Sequence, residues 1–255
     1  GNIKFQRYIR KSPLQEGNIN SFFDYLKQKD SSPRSLYATA NVYYSLTTIE
    51  NTYDFSNIQY CTPTWDVDSI LSNWQVTIRT AKEIINILES FGVRKSLYIK
   101  WSGNGCHIHL HERSLSPSIL EHHHPFDLAF SIVEYVKAKL TAKISEYSPK
   151  DEIRVENKMD LARVFTCPLS LHRKLDVSCI CMKPNQLDEF TPEWLAPDRF
   201  RHNLTWREFI EGEADELAES AYSAIGGYQL LSRRRKRKTM PLDRQIIKWL
   251  FKDHA

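Results

Sequence analysis

The sequence has no uninterrupted apolar run approaching the roughly 20 residues that span a bilayer, so it offers no membrane-spanning helix. Glycine is scarce, 8 in 255 residues, and neither an internal repeat nor a low-complexity tract is visible, which excludes fibrous and repeat architectures. The five cysteines, Cys61, Cys106, Cys167, Cys179 and Cys181, lack zinc-finger spacing, and their odd number argues against a disulfide framework. With no signal-peptide pattern in the opening residues, the expectation is a reduced, unsecreted protein. Charge of one sign is not in large excess either, at net +4, but it is unevenly spread: residues 233–238 are six consecutive cations, a polyanion contact or a solvated tail.

Hydrophobic content of 41% and charged content of 26% are those of a soluble globular enzyme with one large or two small domains. Helical spacing marks 19–29, 69–91 and 126–147, the second closed by Gly92. Extended segments are expected at 36–46, 60–67, 97–101, 106–111, 153–156, 163–171 and 177–182. Beyond Thr191 the pattern reads as helical, with a last short helix over 243–252. This order gives an α+β core from about residue 35 to 185 and a helical remainder.

Three constellations carry chemistry. Asp66 and Asp68, at i and i+2, share one face of a strand and are able to bind a hard divalent cation; they equally fit a polar strand end or a helix cap. After the turn Ser102-Gly103-Asn104-Gly105, Cys106, Ile108 and Leu110 alternate with His107, His109 and His111, a strand with an imidazole row on one face. That row reads as a transition-metal site, as part of a phosphate-binding nest, or as a polar strand edge. Pro168-Leu169-Ser170-Leu171-His172-Arg173-Lys174, with Arg163 before it, sets a hydroxyl, an imidazole and cations together, either a triphosphate cradle or a basic surface turn.

In order and spacing, Asp66-Val67-Asp68, Ser102 to His107 and Pro168 to His172 resemble the motifs of the archaeal-eukaryotic primase superfamily, the small catalytic subunits of DNA primases and their primase-polymerase relatives. The resemblance covers about residues 35–185. It implies an α+β fold, an RRM-like antiparallel sheet with flanking helices, forming a catalytic domain over 1–190 (motifs within 60–182). A helical C-terminal extension over 191–255 would follow, carrying the basic tract. It implies template-directed nucleotidyl transfer from an NTP or dNTP with two Mg²⁺ or Mn²⁺ ions, on a DNA template and primer. A large primase subunit, a helicase or a repair ligase would be its protein partners, in the nucleus or a nucleoid-associated cytoplasmic setting. Asp66 and Asp68 would ligate the metals with Glu156, which has the hydrophobic-acid form; Asp151, Glu152 and Asp160 are alternatives. His107 would be catalytic, with Ser102, Gly105, His107, Arg163, Ser170, His172 and Lys174 on the nucleotide. The chain departs from the family in a shorter 102–107 turn without a basic residue, in Thr166 where a cation is usual, and in lacking an evident zinc-binding insertion.

Two other readings compete. His107-Ile108-His109 with Tyr135 and Lys139 has the form of a nicking endonuclease of rolling-circle replication type. A non-catalytic primase-like module would keep the fold and bind nucleic acid without transfer.

Overall fold

Strands whose side chains alternate apolar and polar build the centre of the molecule. The computed structural model describes residues 3–6, 15–28, 33–147 and 153–228, without the side chains of 142–147. Near the start β1 (Ile3–Phe5) pairs with β2 (Gln15–Gly17), and α1 (Ile19–Gln28) follows, Phe5 meeting Phe22 and Tyr25. Then come β3 (Tyr37–Thr39), β4 (Asn41–Tyr43), β5 (Ile58–Cys61), β6 (Thr64–Asp68) and α2 (Trp74–Glu89). After them are β7 (Leu97–Trp101), β8 (Cys106–Leu110), α3 (Pro117–His122) and α4 (Pro125–Tyr147). The remaining elements are β9 (Arg154–Glu156), β10 (Val164–Thr166), β11 (Ile180–Met182) and α5 (Asp215–Ile225). The fold is mixed α+β.

The main sheet has the order β11-β7-β8-β6-β9, each neighbour antiparallel. Separate two-stranded ribbons join β3 to β10 and β4 to β5. One face of the sheet presents Trp65, Val67, Leu97, Ile99, Trp101, Ile108 and Leu110, which share one core with Ile84, Leu88, Ile132 and Val136 of α2 and α4. Burial of each such side chain contributes about 1.5–3 kcal/mol. Trp65 also donates its indole N–H to the Val133 carbonyl at 3.2 Å, tying β6 to α4. Leu217, Ala218 and Ala221 of α5 enter this same core. Gly92, at φ +80°, turns the chain out of α2 while the Val93 N–H bonds back to Leu88 O.

Several sequence-based boundaries shift. The expected helix at Ser69 starts at Trp74, after a 3₁₀ turn over Leu71–Asn73. The extended segments 36–46 and 60–67 break into β3/β4 and β5/β6. The strand expected to reach His111 ends at Leu110, because the His111 carbonyl closes a turn with Ser114. Residues 196–214 are turns rather than helix. Their polar groups bond sideways to the sheet edge: Asn203 N–H to Cys181 O, Ile210 N–H to Ser96 Oγ, and the Glu213 carboxylate to the amides of Arg94, Lys95 and Ser96. The basic tract 233–238 and the helix expected over 243–252 lie outside the described residues. Among the described residues, no helix is long and apolar enough to cross a membrane.

Candidate active site

The face of the sheet opposite α2 and α4 carries a row of polar side chains in register. Lys100 on β7 stands opposite His107 on β8, His107 opposite Asp66 on β6, and Asp66 opposite Glu156 on β9. Directly paired residues of neighbouring antiparallel strands share a face with Cβ atoms about 5 Å apart. Four residues far apart in sequence thus become one line. Asp68, two positions on from Asp66, extends the same face.

Both oxygens of Asp66 are engaged. His107 Nε2–H donates to Oδ1 at 3.1 Å, and the Lys158 ammonium donates to Oδ2 at 2.7 Å. The same ammonium reaches Asp68 Oδ2 at 2.5 Å and Glu156 Oε2 at 3.1 Å, so three carboxylates converge on one cation. Burial alone would raise the Asp66 pKa, but the His107 bond and the Lys158 charge carry it down to about 2. Partial burial works against the Lys158 charge, yet the carboxylates hold its pKa above the ordinary lysine range. Burial lowers the pKa of His107, partly offset by Asp66, and His107 Nδ1 is buried without a hydrogen-bond partner.

Beside this cluster opens a cleft of about 250 Å³, bounded by Ser102, His107, Lys158, Arg163, His172 and Arg173, with Tyr37 and Phe165 on its wall. His172 Nδ1 accepts from the Leu175 N–H at 2.9 Å, and burial lowers its pKa, helped by Arg173, Arg34 and Lys174. A neutral ring accepting through Nδ1 carries its proton on Nε2, leaving a donor for the cleft. Arg163 binds the Lys158 carbonyl at 2.5 Å and Asp160 at 2.7 Å, bracing the loop that follows β9.

Gly105, Ser170 and Lys174, expected on the nucleotide, do not line the cleft. A Cβ on Gly105 would lie 2.0 Å from Val67 O, so glycine is what lets the β7–β8 turn rest on the end of β6. Ser170 is buried, and its hydroxyl accepts from the Leu36 N–H at 3.1 Å. Leu169, at φ +63°, bends the chain there, a conformation that costs about 1–3 kcal/mol and is held by its N–H bond to Cys179 O. Lys174 contributes its backbone N–H to His172 Nδ1 at 3.3 Å. Of the alternative acids, Asp160 pairs with Arg163, and Asp151 and Glu152 lie outside the described residues.

The imidazole row does not survive as an open surface. His109 is 2% exposed, its Nδ1 bonded to Thr64 Oγ1 at 2.8 Å and its ring stacked on Tyr98. His111 stacks on Phe209 and is 3% exposed. Tertiary packing, which alternation cannot report, brought Tyr98, Phe165 and Phe209 over them.

Two cations escaped the sequence reading. Lys158 sits in a loop without a motif, its only signal being position, two residues past Glu156. Lys100 interrupts the apolar run Leu97-Tyr98-Ile99-Lys100-Trp101 and is 7% exposed, its ammonium 4.8 Å from the Phe165 ring. Burial lowers its pKa. A lysine inside a buried strand was the available clue.

As the side chains stand, no three His, Cys, Asp or Glu among the described residues gather tightly enough to hold a metal ion. The carboxylates are spread around an ammonium at 2.5–3.1 Å, whereas Mg²⁺ demands oxygens at roughly 2.0–2.1 Å. The chemistry of the donors suits such an ion, since three carboxylates face one positive centre. No protein-family model matches the chain, and a search of curated proteins returned no match.

Proposed function

We propose that this chain is a template-directed nucleotidyltransferase of primase-polymerase type, adding NTP or dNTP to a 3′-hydroxyl or starting a primer, with the sheet as its RRM-like catalytic core. The observation that carries this reading is the convergence of Asp66, Asp68 and Glu156 on one cationic centre, beside a cleft of hydroxyl, imidazole and guanidinium groups. These three acids would hold Mg²⁺ or Mn²⁺, which when bound supplies charge stabilisation to the attacking and leaving oxygens. The His107 bond and the Lys158 charge hold the Asp66 carboxyl ionised at neutral pH, the state a ligand needs. His107, through its bond to Oδ1, fixes the orientation of that carboxylate. Ser102, His172, Arg163 and Arg173 offer donors to the triphosphate and neutralise charge on the departing pyrophosphate. Tyr37 is an exposed aromatic side chain on which a template base would stack, with Val164 and Leu169 as exposed apolar contacts.

The nicking reading is weakened by placement. Tyr135 is partly buried and packs against Phe91 and the core on the helix side of the sheet, with Lys139 over its ring, while His107 and His109 belong to the polar face. The test is extension of a labelled primer on single-stranded template with dNTP or NTP and Mn²⁺, comparing the native chain with Asp66→Asn. Growth by the native chain and its loss in the variant support transfer. Absence of growth in both sinks it and leaves the binding-module reading, equal growth in both removes Asp66 from the site, and a covalent tyrosine–DNA adduct would restore the nicking one.

A further inference from the structure

The Lys158 ammonium occupies the point on which all three candidate metal ligands converge. An ammonium and a divalent ion cannot both occupy that point, because an ion taking the three acids at about 2.1 Å needs the position the Nζ already fills. Lys158 is also only partly buried, at 31% side-chain exposure, and it borders the cleft that His172, Arg163 and Arg173 line. Its backbone is anchored by the Arg163 bond to its carbonyl at 2.5 Å, whereas its four-carbon stem is free to swing.

We propose that Lys158 is a tethered counter-ion that competes with the divalent cation for Asp66, Asp68 and Glu156, and that on displacement its ammonium turns into the cleft to meet the triphosphate. This rests on the metal-dependent reading above. Without Lys158 the three acids would face one another with no cation between them, and like charges so placed repel. With it, the cluster is neutralised until metal and nucleotide arrive together. The residue thereby couples the two ligands: a metal ion alone must expel the ammonium into water, while the pair offers it a phosphate partner.

The experiment is Mn²⁺ binding to the full chain, without nucleotide, read from the loss of the free-ion paramagnetic resonance signal. Lys158→Met should bind Mn²⁺ at least about tenfold more tightly than the native chain, since a competing unit charge is gone. Lys158→Arg, which keeps the charge, should bind no more tightly than the native chain. Should Lys158→Met fold poorly, Lys158→Gln is neutral and of similar length and makes the same comparison. Equal or weaker affinity in the neutral variants overturns the competition and leaves the metal site intact. Absence of Mn²⁺ binding in the native chain and the neutral variants alike overturns both the competition and the metal-dependent reading.

Discussion

On the face under α2 and α4, β6 and β8 present Trp65, Val67, Ile108 and Leu110, all fully buried against helices. On the other face the same two strands present Asp66, Asp68 and His107, bonded to one another or to Lys158. The apolar face tolerates neighbours of any identity that fill the space, so its energy is spread over many contacts. The polar face depends on a few directional bonds at set distances, and a slip of one residue in register would turn every one of them into the core. The first face holds the fold and the second gathers the ionisable groups.

Changes on the two faces should therefore be lost in different currencies. The largest effect expected bears on the proposed transfer: if Asp66 holds metal as proposed, Asp66→Asn should lower primer extension about a thousandfold or more, as several kcal/mol of charge stabilisation would go with it. Its circular dichroism should stay native. Trp65→Ala, one residue away and facing the helices, should do the reverse. It should cost about 3–5 kcal/mol in denaturant unfolding, through the cavity and the lost bond to Val133 O. If both variants lose stability equally, the division between the faces fails.

Gly105→Ala tests the seam between them. The added Cβ meets the Val67 backbone carbonyl, which cannot swing aside, so a loss of about 1–3 kcal/mol in unfolding is expected as the end of β6 is pushed away. A variant as stable as the native chain would show that the turn does not rest on β6.

The smallest effect is on acid stability. The Asp66 carboxyl titrates at about 2 in the folded chain against 3.8 for the free side chain. A depressed folded pKa means that its contribution is complete above the unfolded value and is lost as pH falls through the folded one. About 2 kcal/mol should thus disappear between roughly pH 4 and pH 2. Asp66→Asn should flatten that limb in acid titrations of the melting temperature, and an unchanged limb would mean that His107 and Lys158 do not stabilise the carboxylate.

Much of the framework was readable in one dimension. Helical spacing located α2 and α4, and alternation located β6 and β8, because period and burial are properties of neighbouring residues. The family resemblance, and not a local period, pointed to Glu156, which stands opposite Asp66. The helical reading of 196–214 failed because this segment bonds to the sheet edge instead of to itself. His109 and His111 were misread as a surface because the rings that cover them, Tyr98, Phe165 and Phe209, come from three other segments.

What the sequence determined alone was the alternation that assigns Asp66, Asp68 and His107 to one face and Trp65, Val67 and Ile108 to the other, since a pleated strand has a period of two whatever surrounds it. Tertiary structure decided the rest. Strand order set Lys100, His107, Asp66 and Glu156 in a single row, and the loop after β9 returned Lys158 to its acids. Register and loop path depend on contacts between segments distant in the chain, and no local pattern encodes which cation will meet which carboxylate.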